Sequence, residues 1–422
     1  MSNQPRILFV SHDASVTGAP NSLLNFLDWI VQHRKGDFRI LLLDGGPLEA
    51  EFAQRGPTTV IRQPRASVRD LLPRAWSKVR RVLGQVGQPD RPWTPSRSEQ
   101  NRVDACLATF NANLIYLNSV AAAPVLACIG ALDVPVLTFL RELREYVDKT
   151  RATGWLERLI ERTDAFISVS EAAKKQLIGQ CKLPDQKFTV INTFIDTRQL
   201  RHASREESRA ALLQRAGVAS SEFIVAGCGT TDWRKGSDLF LSIARTYFEN
   251  RPDDRVVFIW IGDIDDDERQ QTSHDIQLSG LAGRVIFIGE QLDAATLLAG
   301  ADVLALTSRE EPFARVMLEA ALGRCPTVCF DNSGGPTEFI RKGCGIAVPY
   351  LSINAFASAI QRLRQDETLR TTLGNAAFTT TVNEHDTQVG AKRVYAVVEA
   401  LLSRPKSAQG TRSGRGSDRI AE

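Results

Sequence analysis

Two adjacent cations, Arg234 and Lys235, stand between a predicted strand and a predicted helix. The strand covers 223–227 and Gly236 precedes the helix, so both cations fall at the carboxyl edge of a parallel sheet. Fixed positive charges at that edge can neutralise a diphosphate group that leaves during a transfer reaction. The segment therefore indicates chemistry on a phosphorylated ligand.

Two carboxylates, Glu311 and Glu319, flank the start of another predicted helix and are separated by seven residues. The apolar run 302–307 is typical of a strand buried on both faces, and Pro312 marks a position where a helix can begin. Free backbone N–H groups at such a helix start attract anions, phosphates above all. Glutamates at this spacing also occur by chance on solvated helices, so the pair alone leaves that interpretation open.

The elements that would position these residues alternate between strands and helices, as in doubly wound α/β sheets. Since 422 residues exceed one ordinary core, we predict two domains. Apolar runs predict strands at 6–10, 38–43, 114–117, 136–140, 165–169 and 188–191, then at 223–227, 256–261, 285–288, 302–307, 327–330 and 346–348. Helices are predicted at 23–31, 275–281, 294–299 and 354–364, in a segment that runs to 378, and at 389–402.

Residues 62–102 interrupt this alternation and form a predicted insertion. Apolar residues of 68–83 share one helical face and arginines and lysines crowd the other, while 84–98 is rich in Gly and Pro. One interpretation is a surface that lies on anionic lipid headgroups or receives a lipid-diphosphate acceptor. The other is an ordinary helix with a solvated basic face. The sequence is compatible with both interpretations.

Composition is that of a soluble globular protein, with 43% hydrophobic and 24% charged residues and a net charge of +3. No apolar run is long enough to span a bilayer, and the first residues pass directly into a strand, so we expect a cytoplasmic protein without a secretory signal. We expect no nucleic-acid partner. Seven scattered cysteines without CxxC spacing predict reduced core thiols. The acidic loop 262–268 has the spacing of a divalent-metal site, but with Lys235 to compensate charge we predict no metal.

Four features in order along the chain resemble those of retaining glycosyltransferases of the GT-B fold, family 4. They are the glycine loop at Gly18, the Arg234-Lys235-Gly236 element, the Glu311/Glu319 pair, and the Gly334-Gly335-Pro336-x-Glu338 turn. The resemblance covers nearly all of residues 6–402. It implies two Rossmann-like doubly wound domains that face each other across a cleft: 1–195 for the acceptor, 196–378 for the nucleotide-sugar, and a helix within 379–402 that crosses back. The tail 403–422 is expected to be disordered.

The resemblance also implies roles for individual residues. Glu319 would hold the ribose hydroxyls, Lys235 the diphosphate, and Glu311 the donor-sugar side, with Arg234 beside them. The other implied donor-binding positions are the backbone amides of Phe313, Ala314, Arg315 and Val316, the loop at Gly18 and Ala19, and Gly289 and Gln291 near the base.

Two positions depart from the family pattern. Relatives often carry an arginine where this chain has Thr230, and a histidine near the donor sugar where it has Arg141. Thr230 therefore falls in the diphosphate loop, and Arg141 is a candidate for holding a phosphate or an acidic acceptor. Both changes put the rate and the donor choice in question, and they motivate an alternative function.

The function implied is a retaining, metal-independent hexosyltransferase that needs no cofactor. Its donor would be a UDP-, GDP- or dTDP-linked sugar and its acceptor a glycan or a lipid-linked saccharide, in bacterial cell-surface polysaccharide synthesis. The protein would be cytoplasmic, with a peripheral contact at the inner face of the membrane as one interpretation of 68–83. The alternatives are a nucleotide-sugar-binding scaffold subunit with weak turnover, and a nucleotide-sugar epimerase on the same architecture.

Overall fold

The computed structural model describes residues 4–62, 93–130, 132–198, 204–219 and 223–403. Within them lie two parallel β-sheets. The first has seven strands in the order β3-β2-β1-β4-β5-β6-β7. These strands are β1 (Arg6–Ser11), β2 (Asp37–Asp44), β3 (Thr58–Arg62), β4 (Leu114–Leu117), β5 (Val136–Leu140), β6 (Ala165–Ser168) and β7 (Phe188–Val190).

The second sheet has six strands in the order β10-β9-β8-β11-β12-β13. These are β8 (Phe223–Cys228), β9 (Val256–Ile261), β10 (Val285–Phe287), β11 (Val303–Leu306), β12 (Thr327–Phe330) and β13 (Gly345–Val348). Every residue of the central strands β4, β5, β9 and β11 is buried, as expected for parallel strands covered by helices on both faces. The fold is therefore α/β with two doubly wound sheets, as the sequence predicts.

Helices cover both sheets. In the first half they are α1 (Gly18–His33), α2 (Glu49–Arg55), α3 (Arg97–Leu107), α4 (Leu126–Ile129), α5 (Arg144–Ala152), α6 (Trp155–Arg162) and α7 (Glu171–Cys181). In the second half they are α8 (Arg205–Ala216), α9 (Ser237–Glu249), α10 (Asp266–Leu278), α11 (Ala294–Ala299), α12 (Arg315–Leu322), α13 (Pro336–Phe339), α14 (Ile353–Gln365), α15 (Glu367–Glu384) and α16 (Thr387–Leu402).

The order of the strands reverses at one point in each sheet. β1 pairs with β2 on one side and β4 on the other, and β8 pairs with β9 and β11 in the same way. Connections leave in opposite directions from these strands, which opens a crevice at their carboxyl ends where ligands bind in open α/β sheets. The loops after β1 and β8 contain the glycine loop and the two cations, respectively.

Several predicted boundaries need correction. α1 begins at Gly18 rather than at residue 23, and β3 occupies 58–62, where no strand was predicted. The helix predicted at 275–281 is α10, Asp266–Leu278. Asp265 begins it by accepting a hydrogen bond from the Glu268 N–H, and none of its residues is buried, so it lacks the apolar periodicity that marks a packed helix.

The last two helices return the chain to the first half. α15 runs to Glu384, beyond the predicted end at 378, and α16 follows. The Tyr395 hydroxyl donates to the Lys35 carbonyl at 2.8 Å, and its ring lies 5.7 Å from that of Trp29 in α1. α16 therefore packs against the first half of the chain.

Two predictions fall on segments outside the described residues: the basic helix at 68–83 and the tail beyond Ser403. All seven cysteines fall in the described part and none is bridged. Among the helices described, none has both the length and the apolar character to cross a bilayer.

Candidate functional site

The predicted glutamate and the two predicted cations meet at the carboxyl edge of the second sheet. The Lys235 Nζ lies 2.6 Å from Glu311 Oε2, and an Arg234 Nη1 lies 3.5 Å from the same oxygen. The Ser308 hydroxyl is 3.4 Å from it. Glu311 and Ser308 are buried. Lys235 and Arg234 lie 76 and 77 residues before Glu311 in the chain, and the three side chains form one charged cluster.

The charges in this cluster do not balance. Burial by itself raises the pKa of the Glu311 carboxyl, but Lys235 and Arg234 together outweigh burial and hold that pKa below its usual range. Glu311 is therefore an anion at neutral pH. Two cations face this one carboxylate, and the nearby carboxylates of Asp232 and Glu145 partly offset them. Arg234 and Lys235 are nevertheless placed together where a polyanionic ligand could meet both.

A close backbone approach fixes the position of Glu311. Its N–H donates to the Ser333 carbonyl at 2.7 Å, and its carbonyl accepts from the Gly335 N–H at 2.9 Å. A Cβ on Gly334, whose φ is +130°, would lie 2.1 Å from the Glu311 carbonyl oxygen. A Cβ on Gly335 would lie 2.1 Å from the Pro312 carbonyl oxygen. The glycine pair in the sequence is thus needed so that this loop can pass directly over the glutamate.

Lys235 is held by the turn that precedes α9. Its N–H donates to Asp232 Oδ1 at 2.8 Å, and its carbonyl accepts from the Thr307 hydroxyl at 3.0 Å. Gly236 follows with φ +68°, and a Cβ there would lie 2.3 Å from the Thr307 carbonyl oxygen. Only glycine fits this left-handed position, so the Lys-Gly sequence directs the lysine toward Glu311.

Three helices that start at these carboxyl edges have no side-chain cap. They are α1, α9 and α12, which begin after Thr17, Gly236 and Ala314. By contrast, α7 and α8, among others, are capped by serine hydroxyls. The first N–H groups of an uncapped helix are available to an anion. The predicted amides of Phe313 to Val316 lie at the start of α12.

Glu319 lies in α12, one turn after Arg315, and is buried. The Arg315 Nε donates to Glu319 Oε1 at 2.6 Å, while the Arg315 Nη1 is buried without a hydrogen-bond partner. Burial raises the pKa of the Cys228 thiol to about 12, with a smaller contribution from Glu319 and an opposing one from Lys235. Cys228 is thus close to both charges, which places Glu319 and Lys235 around the same end of β8.

Three glycines with positive φ form a row along the second sheet's edge. The Gly229 N–H donates to the Ile261 carbonyl, and the neighbouring Gly262 N–H donates to the Gly289 carbonyl, both at 2.9 Å. A Cβ on Gly262 would lie 1.9 Å from the Gly229 oxygen, whereas one on Gly289 would meet nothing within 4 Å. Space therefore lies beside Gly289, where the sequence predicts the base.

Two other predicted donor residues have side chains engaged elsewhere. The Gln291 amide nitrogen donates to the Ile288 carbonyl at 2.9 Å, and its oxygen accepts from Arg215 of α8. The Thr230 hydroxyl donates to Asp232 Oδ2 at 2.9 Å and is exposed in the loop after β8. The side chains of Gln291 and Thr230 therefore stabilise loops. A ligand at these two positions would contact backbone atoms.

Arg141 lies on the opposite half, after β5. Its guanidinium stacks on Phe139, 3.7 Å from the ring centroid, and its Nε donates to the Asn118 carbonyl at 3.1 Å. The Asn118 amide donates in turn to the Ala19 carbonyl at 2.8 Å. This chain of contacts ties Arg141 to the predicted glycine loop at Gly18 and Ala19. No contact joins Arg141 to the Glu311 cluster among the described residues.

Carboxylates of the second half reach helix starts of the first half, which sequence reasoning missed. Glu338 accepts from the Ala172 N–H at the start of α7 at 3.2 Å and from the Asn192 amide at 3.3 Å. Glu310 accepts from the Glu145 N–H at the start of α5 at 3.3 Å. Glu338 belongs to the recognised glycine turn and Glu310 directly precedes Glu311, but neither position indicated a contact with the other half. The halves are thus joined close to the charged cluster.

The acidic loop at 262–268 serves the fold. Asp265 begins α10, and Glu268 accepts a hydrogen bond from the Thr231 hydroxyl. The described residues contain no group of three His, Cys, Asp or Glu side chains arranged to hold a metal ion.

Two glycosyltransferase families match the chain. Residues 222–366 match Glycosyl transferases group 1, and residues 47–199 match Glycosyltransferase Family 4. Together these matches include Arg234, Lys235, Glu311, Glu319 and Arg141. Gly18 and Ala19 fall before the first matched segment.

Curated relatives agree with these matches. The chain is 33% identical over 148 residues to a lipopolysaccharide core biosynthesis glycosyltransferase, LpsE, of Rhizobium meliloti, covering 35% of this chain and 41% of that protein. It is 24% identical over 270 residues to the mannosyltransferase LpsB of the same organism, covering 62% and 73%. It is 24% identical over 228 residues to a D-inositol 3-phosphate glycosyltransferase of Kribbella flavida, covering 52% and 53%. The alignments with LpsE and the Kribbella protein thus span about half the length of those relatives or less.

Solved structures share the fold. Anabaena Alr3699/HepE in complex with UDP superposes with a TM-score of 0.73 at 21% identity, covering 94% of this chain and 100% of that one. The lipopolysaccharide glycosyltransferase WaaG superposes with a TM-score of 0.66 at 13% identity, covering 93% and 99%. Both have the two-sheet architecture of this chain.

Proposed function

We propose that this chain is a glycosyltransferase of the group 1, family 4 type and that it transfers a sugar from a nucleotide-diphosphate sugar to a saccharide-containing acceptor with retention of anomeric configuration. The observation that carries this proposal is the cluster of Glu311, Lys235 and Arg234 beside the uncapped start of α12.

The donor diphosphate would bind at the charged cluster. Lys235 is the nearer cation to Glu311, and its ammonium would exchange part of that contact for a phosphate oxygen. The first N–H groups of α12 would donate to the same diphosphate, because no side chain of the N-cap residue Ala314 occupies them. These groups would stabilise the negative charge that develops when the bond to the sugar breaks.

The nucleoside would lie along the glycine row. Glu319 would accept hydrogen bonds from the ribose hydroxyls while it keeps its bond to the Arg315 Nε. The Arg315 Nη1, which lacks a hydrogen-bond partner, would then donate to the ligand. The base would occupy the space beside Gly289. In this proposal an ammonium, a guanidinium and helix amides would meet the charge of the diphosphate, so no metal or cofactor is assigned a role.

Transfer breaks the bond between the anomeric carbon and the diphosphate oxygen and forms a bond from that carbon to an acceptor hydroxyl. In the retaining route the acceptor attacks from the face that the diphosphate leaves, and its proton passes to the departing phosphate oxygen. Glu311 is ionised, so it is suited to stabilise positive charge at the sugar and unsuited to donate a proton. The mechanism therefore needs no strong protein base.

The acceptor would bind at the edge of the first sheet, near Arg141 and Asn118. Relatives named for lipopolysaccharide core biosynthesis support a glycan or lipid-linked saccharide acceptor in bacterial cell-surface polysaccharide synthesis. We place the protein in the cytoplasm, at the inner face of the membrane where such acceptors are built, with 68–83 as the candidate contact.

The test measures hydrolysis and transfer with radiolabelled UDP-, GDP- and dTDP-sugars, with and without saccharide acceptors extracted from bacterial envelopes. We expect one nucleotide-sugar to be consumed, and Lys235→Ala and Glu311→Ala each to abolish consumption. Lys342→Ala is the control, since Lys342 is a partly exposed lysine that pairs with Glu384 and makes none of the contacts of the cluster. Turnover that survives both cluster substitutions would contradict the proposal.

A scaffold subunit is the second candidate, favoured by Thr230 and Arg141 where relatives often carry arginine and histidine. If the protein binds a nucleotide-sugar but neither hydrolyses it nor transfers the sugar to any acceptor, the result would identify a scaffold subunit. Isomerisation of the free nucleotide-sugar would identify an epimerase.

A further inference from the structure

A groove lies between α9 and α10 in the second half, and its lining includes none of Glu311, Lys235 and Glu319. Its volume is about 670 Å³, within the range of about 300–1,000 Å³ typical of small-molecule sites. Its lining is mostly hydroxyl, amide and carboxylate groups. The loop before α9 contributes Asp232 and Trp233, α9 contributes Asp238, and α10 contributes Glu268 and Asp275.

An exposed tryptophan stands at one end of this groove. Trp233 is 60% exposed, and the Arg309 guanidinium lies 5.4 Å from its ring centroid. Arg309 is itself fixed by donating to both Asp238 carboxylate oxygens, at 2.9 and 2.7 Å, and to the Trp233 carbonyl at 2.7 Å. The indole is therefore a supported, preorganised platform, which lowers the entropy cost of binding a ligand on its open face.

The charge of the groove restricts what can bind. Four carboxylates line it, from Asp232, Asp238, Glu268 and Asp275, against a single lining cation, Arg245. Arg245 is 3.1 Å from Glu249, and Asp238 is paired with Arg309 at 2.7 Å, so the negative charge of the groove comes chiefly from Asp232, Glu268 and Asp275. An anionic polymer would be repelled by this surface. Hydroxyl donors of a ligand could reach Asp275 and the lone pairs that Asp232 and Glu268 retain beside their bonds to the Lys235 N–H, Thr230 and Thr231.

An aromatic face beside several carboxylate and hydroxyl groups fits a sugar ring. The weakly positive C–H groups on one face of a pyranose pack on the electron-rich face of an indole, and the hydroxyls at its edge donate to carboxylates. An apolar ligand would leave the polar lining without partners, which costs binding free energy. The side chains therefore favour a neutral glycan.

We propose that this groove binds a neutral oligosaccharide through Trp233, as a site separate from the transfer cleft. Trp233 directly precedes Arg234 and Lys235, so a glycan held there would begin beside the donor site and extend away from it. This inference rests on the proposed function only in supposing that the protein meets glycans. The groove would retain a growing acceptor chain near the cleft.

The test is direct binding of labelled neutral glucan, mannan and galactan oligosaccharides, with oligogalacturonides as the anionic probe. We expect a neutral probe to bind the wild-type protein, and Trp233→Ala to weaken it at least about tenfold, or about 1.4 kcal/mol. Trp233→Phe should recover most of the affinity because it keeps an aromatic face. Leu292→Ala is the matched control, since Leu292 is 95% exposed and does not line the groove.

The proposal fails if no neutral probe binds, if Trp233→Ala binds as tightly as the wild type, or if oligogalacturonides bind better. Stabilisation of each variant by nucleotide is measured in parallel. Loss of glycan binding in Trp233→Ala, with stabilisation by nucleotide retained, supports the groove as the glycan site. If nucleotide stabilises no variant, the proposed function is contradicted. The groove is then judged from glycan binding alone.

Discussion

His385 gives a quantitative test of how the two halves are joined. It lies between α15 and α16 and is 2% exposed. Its ring stacks on Phe313 at 5.3 Å and meets the edge of Phe339 at 5.6 Å, and its Nδ1 is 2.9 Å from the Thr193 carbonyl. Phe313 directly precedes the N-cap residue of α12. Hence His385 connects the crossing between the halves to the donor-site helix.

Burial lowers the pKa of His385 to about 4, from an ordinary value of 6.5. Above pH 6.5 the ring is neutral in both the folded and unfolded states, so the full stability is present. As the pH falls from 6.5 toward 4, His385 is protonated in the unfolded chain but stays neutral in the folded chain, so the free energy of unfolding decreases. A difference of about 2.5 pKa units at about 1.36 kcal/mol each predicts a loss of about 3 kcal/mol.

His385→Asn is the perturbation, because its amide can still donate to the Thr193 carbonyl but does not titrate. The variant loses ring packing at every pH, so it should be less stable than the wild type at pH 7. That gap should shrink by about 3 kcal/mol between pH 7 and pH 4 in urea denaturation. His274→Asn is the control, since His274 is exposed on α10 and this substitution leaves His385 in place, so the variant should keep the pH dependence that His385 gives the wild type. A gap that stays constant across this range would refute the buried, neutral histidine.

Three further predictions concern the cluster and its supports. Lys235→Met should lower the free energy of unfolding by about 3 kcal/mol. This is the lower end of the range for a broken buried ion pair, because Arg234 still faces Glu311. Chemical denaturation at pH 7 measures the change, and an unchanged midpoint would contradict it. Gly334→Ala should cost about 2–4 kcal/mol from strain and the clash with Glu311 by the same assay, and a cost below about 1 kcal/mol would show that the loop can move. Glu338→Ala should raise amide hydrogen exchange at the start of α7, and unchanged exchange there would exclude the contact across the halves.

The site divides into parts that a sequence can show and parts that it cannot. Lys235 and Glu311 carry local signals: a cation pair before a glycine, and a carboxylate in the turn between a strand and a helix. Their pairing across 76 residues follows once both are assigned to carboxyl edges of one sheet. Glu338 and Asn192 are 146 residues apart and join different halves, so no local pattern predicts their contact.

The same reasoning explains the misplaced helix and the overlooked histidine. α10 has no buried residue, so the periodicity that predicts helices is missing and only Asp265 marks its start. His385 is buried because Phe313 and Phe339, which are distant in the sequence, pack against its ring. Its neighbours in the sequence are polar, so they do not predict this burial. Gln291 lies after the strand as expected, yet the structure engages its side chain with Arg215.

The central claim, that Lys235 and the start of α12 bind a nucleotide diphosphate, is tested most directly by thermal unfolding with UDP, GDP and dTDP. A ligand that binds the folded state at about 100 times its Kd adds about 2.7 kcal/mol of stability. We predict that one of these nucleotides raises the Tm of the wild type and of Lys342→Ala, and that Lys235→Ala loses most of that rise. No rise with any nucleotide, or an undiminished rise in Lys235→Ala, would contradict the account.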